Sequence, residues 1–195
     1  MKDCTDAMAK DTLVIFGRSL FIDQVDVGRI ISKHTTAGIN ALGLDYPVRH
    51  LFYFDMFIPG YKAHTLHLPY WFKQPGEYYC KVNSTEPMLT KQYRHGALCL
   101  GFKYFTVSAA INWAMLEGYK SIYLVGIDHN EDDTQFKHYG ADADKPSRVP
   151  MSPVAHRALK EYVYNCAKRV SIYQCNPAVA DAWDLEFKEV DSLYG

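Results

Sequence analysis

Hydrophobic positions along the chain fall into short runs that stop at glycine, proline or a carboxylate. TLVIFG, Thr12 to Gly17, is apolar up to its closing glycine and predicts a buried strand followed by a tight turn. HTTAGINAL, His34 to Leu42, predicts a second and weaker strand. VRHLFYFD, Val48 to Asp55, predicts a third that ends at a carboxylate, and HTLHLP a fourth that stops at Pro69. From Tyr70 to Gly96 the text is irregular, with Pro75-Gly76, Asn83-Ser84 and Pro87 punctuating a Tyr-rich run. Such a length without periodicity is either functional or hides short elements.

The second half is more regular. Phe102 to Glu117 has helical length and is apolar nearly all round, through Phe105, Ala109, Ile111, Trp113, Ala114 and Leu116, which predicts a helix buried on most sides. Gly118 closes it. Ser121 to Ile127 then reads as a buried strand and runs straight into Asp128, His129, Asn130, Glu131, Asp132 and Asp133. A polar stretch with Gly140 and Pro146 follows and predicts a lid-like loop at about 129–150. Ser152-Pro153 is an N-cap and N1 pair. The helix it opens carries Ala155, Leu159, Tyr162, Val163 and Cys166 on one stripe, with Lys160 and Arg169 facing water. Arg169 to Asn176 predicts the last strand.

Strands alternating with helices predict an α/β chain, a Rossmann-like three-layer sandwich with a mainly parallel central sheet. The expected organisation is a polar N-terminal tail over 1–11 and a single domain over 12–195. Gly17, Asn40, Asp55, Asp128 and Asn176 would then all lie at or near strand carboxyl ends, on one edge. Ligands bind at that edge in open α/β sheets. The abrupt change after Ile127 marks it.

Composition narrows the partners. Lys+Arg 21 against Asp+Glu 22 gives a formal charge of -1, so no global field recruits nucleic acid or an anionic membrane. Five cysteines without a CxxC fit a reduced, cytoplasmic setting. No apolar run approaches the length of a membrane span. DHNEDD and His138 offer carboxylates and imidazole, yet neither an EF-hand nor an HExxH spacing is present, so a solvated acidic loop is expected there and no metal or resident cofactor.

The chemistry-bearing residues leave alternatives open. The FGRSLF turn is either a backbone-lined phosphate site, with Ser19 adding a hydroxyl and Arg18 a charge, or a plain β-to-α turn. Asp55 and Asp128 can accept hydrogen bonds from ribose hydroxyls or can cap local structure. His129, His138 and His156 are possible general bases, since an unperturbed imidazole titrates near neutrality. No GxSxG elbow surrounds Ser19, Ser108 or Ser152, so a hydrolase triad has no support.

YFTVSAAINWAMLEGYKSIYLVGID, Tyr104 to Asp128, resembles the signature region of the bacterial sialyltransferases that build lipooligosaccharide outer cores. The same layout is similar to motility-associated glycosyltransferase-like proteins and to archaeal hydroxymethylpterin pyrophosphokinases. FGRSL resembles the group's Gly-Pro-Ser-Leu turn, GIN its early Asn, LFYFD its third strand and SIYQCNPAVA its closing strand. The resemblance spans about Thr12 to Ala180.

It implies a metal-independent glycosyltransferase with a cytidine nucleotide-sugar (CMP-sugar) donor and a glycan acceptor as its partners. A homo-oligomer is among the expected assemblies. The alternatives it brings are an ATP- and Mg²⁺-dependent pyrophosphokinase acting on a pterin-like alcohol, and a catalytically inactive nucleotide-binding relative. Carried over by residue, Gly17 and Ser19 would line the phosphate turn and Asn40 would reach phosphate or ribose. Asp55 stands where the family carries an Asn, and Thr106 where a Ser contacts the donor. Gly126, Asp128 and His129 would hold ribose and base. The family's paired tyrosines fall here on Asn130 and Phe136, and its general-base His falls near Pro150. His138 is the nearest substitute base, with Tyr139 and Lys137 as the groups that would steady the leaving phosphate.

Overall fold

Strand β1, Thr12–Phe16, is buried on both faces: Leu13 and Ile15 belong to one core cluster, Val14 and Phe16 to a second. A strand with no solvent face needs a layer on each side, and that requirement builds the rest of the fold. The computed structural model describes residues 11–40, 42–52, 63, 65–69, 89–93, 106–127 and 153–195. Within these residues the strands are β1, β2 (Thr35–Ile39), β3 (His50–Phe52), β4 (Thr65–Pro69), β5 (Leu89–Tyr93), β6 (Ser121–Val125), β7 (Ser171–Gln174) and β8 (Glu186–Phe187). They form one sheet in the order β5-β4-β3-β2-β1-β6-β7-β8, and every neighbouring pair is parallel.

Helices lie on both faces. Helix α1 (Val27–Lys33) opens at Asp26, whose carboxylate accepts from the Arg29 N–H, and it places Val27 and Ile30 in the second cluster. The short α2 (Leu42–Asp45) follows β2 and adds Leu42 to the same side. On the opposite face sit α3 (Thr106–Leu116) and α4 (Pro153–Ala167). Every residue of α3 from Thr106 to Ala114 is buried, as its all-round apolarity predicts. Leu159, Val163 and Cys166 are the buried stripe of α4, while Arg169 beyond it is exposed. Lys160 is half-buried. The chain ends with α5 (Pro177–Ala180), a 3-10 turn over Asp181–Trp183 and another over Val190–Leu193.

Gly118, at φ +86, ends α3: its N–H donates to the Met115 carbonyl and the Tyr119 N–H to that of Ala114, the paired bonds of a Schellman turn. Pro69 is the last residue of β4. Val48 and Arg49 of the expected third strand precede the β3 ladder, and residues 53–55 lie outside the described residues. Strand β5 lies in the irregular Tyr-rich segment, where periodicity showed nothing. Among the described residues no helix is long and apolar enough to cross a membrane.

Candidate functional site

The strand order runs outward in one direction from β1 to β5 and in the other from β6 to β8, so the reversal falls between β1 and β6. At such a switch point the connections on the two sides leave the sheet in opposite directions and open a crevice at the carboxyl ends. Phe16 and Val125, the last residues of β1 and β6, lie side by side in register. The residues directly beyond them are Gly17 and Gly126.

These two glycines are in close contact. A Cβ on Gly17 would lie 2.2 Å from the Gly126 carbonyl oxygen and 2.7 Å from Ile127 Cγ1, so no other residue fits. Gly126 itself takes φ +69, where a side chain is strained. The Gly17 N–H donates to the Val125 carbonyl at 2.8 Å and the Ser19 N–H to the Gly126 carbonyl at 3.0 Å. The turn after β1 is therefore strapped to the end of β6. Two of the turn's N–H groups are thus taken up by carbonyls. The Ser19 hydroxyl, on a residue only 5% exposed, accepts from the Phe21 N–H at 3.2 Å and caps the 3-10 turn Leu20–Gln24.

Asn40 follows β2 with φ +51, a left-handed conformation that Asn tolerates better than most residues. Its N–H donates to the Phe52 carbonyl at 2.8 Å, which extends the β2–β3 ladder by one bond. The Thr106 hydroxyl donates to Asn40 Oδ1 at 2.9 Å, joining the end of β2 to the first residue of α3. That bond turns the oxygen of the Asn40 amide toward α3. The first-turn N–H groups of α3, at the positive end of its dipole, lie at the same place.

Gln174 was not foreseen. It is fully buried at the end of β7. Its Nε2 donates to the Ile127 carbonyl at 3.0 Å and its Oε1 accepts from the Asn176 N–H at 3.2 Å. The residue thereby fixes the chain leaving β6 against the chain leaving β7. A glutamine inside the otherwise apolar strand SIYQ was the available signal, since buried polar groups need partners. Asn176 caps α5 through its side chain, which accepts from the Ala178 N–H at 3.0 Å. Buried His156 sits in the first turn of α4 with its ring perpendicular to that of Trp183.

Of the residues singled out from sequence, Gly17, Ser19 and Gly126 come together at the switch point, and Asn40 and Thr106 form one hydrogen-bonded pair. Asp55, Asp128, His129, Lys137, His138 and Tyr139 lie outside the described residues.

No family model matches the sequence, and no curated protein does. Solved structures share the fold. The α-2,3-sialyltransferase Cst-I from Campylobacter jejuni aligns with 95% of this chain and 82% of its own, at a TM-score of 0.56 and 13% identity. CstII from the same organism, in complex with the substrate analogue CMP-3FNeuAc, covers 92% of this chain and 87% of its own, at 0.57 and 12%. The sialyltransferase CST-II in complex with a trisaccharide acceptor and CMP covers 91% and 86%, at 0.53 and 12%. The sheet order, with its switch point between β1 and β6, and these alignments together give the chain the fold of the Campylobacter sialyltransferases.

Proposed function

We propose that the protein is a glycosyltransferase that takes a cytidine nucleotide-sugar donor and works without a metal. The observation that carries this reading is the β1–β6 switch point. Its glycine pair, the Asn40–Thr106 link and the α3 N-terminus stand at the edge where this fold class receives ligands, in a fold shared with proteins solved with CMP and with a CMP-sugar analogue. The donor phosphate lies toward α3, where the helix dipole favours negative charge. Asp128 and His129, directly beyond the strapped Gly126–Ile127, hold the ribose and base.

The reaction is a displacement at the anomeric carbon of the donor sugar. The acceptor hydroxyl oxygen forms the new bond there as the bond from that carbon to the phosphate oxygen breaks, and CMP leaves with the electron pair. His138 takes the proton of the acceptor hydroxyl. Tyr139 and Lys137 stabilise the departing phosphate, a task for which one well-placed donor supplies on the order of 10²–10³ in rate.

The test is calorimetry with CMP, with and without EDTA, followed by release of CMP from a CMP-sugar. Binding that ignores EDTA, together with CMP release that vanishes in His138→Ala, is expected. Binding of ATP only with Mg²⁺ would point to phosphoryl chemistry instead. Asp128→Ala should weaken CMP binding about tenfold to a hundredfold, since each charge-assisted hydrogen bond contributes roughly 1.5–3 kcal/mol. Its melting temperature should stay close to wild type. A variant that binds normally moves the ribose elsewhere, and one that unfolds makes Asp128 a structural cap.

A further inference from the structure

We infer that Gln174 is a positioning residue for the nucleoside: its buried amide fixes the peptide through which β6 leaves the sheet. The inference rests on the cytidine-nucleotide reading above, which puts ribose and base directly beyond Ile127.

The β6–β7 ladder runs out just where that peptide needs support. Along it the Ser171 N–H donates to the Lys120 carbonyl at 3.1 Å and the Cys175 N–H to the Leu124 carbonyl at 3.0 Å. The same step would next bring residue 177 to the Gly126 carbonyl. Residue 177 is a proline, which has no N–H to give. Gly126, at φ +69, has also left the extended path, and its carbonyl accepts from the Ser19 N–H on the β1 side. The regular ladder therefore cannot continue past the Leu124 rung.

Gln174 supplies the next bond from a side chain. It is fully buried, and its Nε2 donates to the Ile127 carbonyl at 3.0 Å. The Asn176 N–H donates to its Oε1 at 3.2 Å. That second bond settles which end of the amide is which: with the oxygen held by an N–H, the nitrogen faces the carbonyl. Consecutive carbonyls are thus held from opposite sides, Gly126 by the turn after β1 and Ile127 by β7. The Ile127 side chain, buried in the core, is a third anchor. A peptide held at three points sends the chain off in one direction.

Stability alone does not call for an amide at this place. Burying one gains little net free energy even when both its bonds are made, because water offers the unfolded chain the same bonds. What two directed bonds add is orientation. Sites are sensitive to it, since a misplacement of about 1 Å can cost about a hundredfold in rate.

The experiment titrates the full chain by calorimetry with CMP and with its dideoxy analogue, which lacks both ribose hydroxyls. In wild type, CMP should bind about tenfold more tightly than the analogue, the value of one charge-assisted hydrogen bond. Gln174→Met keeps the length of the side chain without its donor and acceptor. It should cut CMP affinity about tenfold and leave the analogue within about twofold, which erases the preference. Its melting temperature should fall too, but lower stability by itself does not change the ratio of two ligands bound by the same folded protein. A Gln174→Met protein that keeps the wild-type ratio overturns the inference. So does a parallel loss of both ligands, the mark of a general loosening. Should Gln174→Met fail to fold, Gln174→Asn carries the comparison, because its amide is one methylene too short to make both bonds. Wild type that binds the two ligands equally also overturns the inference, since no ribose contact is then left to position. Wild type that binds neither defeats the cytidine-nucleotide reading itself, a result seen before any variant is compared.

Discussion

Gly17 and Gly118 show how differently two glycines can constrain one chain. Gly118 takes φ +86 with nothing within 4 Å of an added Cβ, so only its backbone conformation resists substitution. Gly17 has no such backbone demand, yet its Cβ would collide with a carbonyl oxygen at 2.2 Å, and backbone cannot step aside. Gly118→Ala should cost about 1–2 kcal/mol, the left-handed penalty for an L-residue. Gly17→Ala should cost about 3 kcal/mol, at the upper end of overpacking effects, and should weaken CMP as well, because it pushes β1 from β6. Denaturant titrations of both variants check the order. If Gly17→Ala proves the milder, the glycine contact is not what sets the crevice.

The closure of α3 is the element on which ionisation bears most directly. Tyr119 follows the Schellman turn and is 8% exposed, and burial pushes its hydroxyl above the ordinary 10.0 while a hydrogen bond to Thr35 pulls the other way. Burial likewise raises Tyr123 on β6, with the neighbouring Tyr173 adding to it. The Cys166 thiol on α4 is raised above 9.0 by burial, against a hydrogen bond from Tyr162 and the charge of Arg169. All three are acids that keep their protons longer when folded. Above their ordinary values the unfolded chain releases protons first, so stability falls as pH rises, and it is fully present below. Urea midpoints should therefore decline from about pH 9 upward, and Tyr119→Phe should flatten the part above about pH 10. A midpoint that holds steady to about pH 11 would contradict this.

At the scale of the whole molecule, the two faces of the sheet are covered by different means. On one face α3 covers β1, β2 and β3 and α4 covers β7, while over β6 and β7 the opposite face has the C-terminal segment instead. Leu193 is 2% exposed in the same cluster as Val125 and Cys175, and half-buried Tyr123, Val190 and Tyr194 pack against it. The segment is tied down at α1. The Tyr194 hydroxyl accepts from the Asp26 N–H at 2.8 Å, and Lys33 Nζ donates to the Tyr194 carbonyl at 2.6 Å. His34 Nε2 lies 2.9 Å from the Leu193 carbonyl oxygen. Leu193→Ala should thus behave as a core truncation and cost about 2–5 kcal/mol, read as a drop in the denaturation midpoint. A loss well below about 1 kcal/mol would mean that the segment lies on the surface without sealing it.

The alternation of apolar strands with helices was enough to set an α/β class with a parallel sheet, and the end of α3, its closing glycine and the start of β6 were legible nearly to the residue. Hydrophobic periodicity reports burial of each short segment against something, and those elements are buried on most sides. The same signal fails at β5. Its LTKQY is the outermost strand of the sheet among the described residues, and its sequence contains no apolar run. Helix α1 was missed for want of length, although Asp26 offered a cap. At the candidate site the sequence brought forward Gly17, Ser19, Asn40, Thr106 and Gly126 one by one. Only the tertiary structure joined Thr106 to Asn40, 66 residues away, and Gln174 to Ile127, 47 away, and only it showed the Gly17 and Ser19 N–H groups taken up by β6. Those bonds form between residues that the sheet order makes neighbours, and strand order leaves no imprint on local composition. A buried Gln in a strand reads as an isolated polar residue until the partner strand is known.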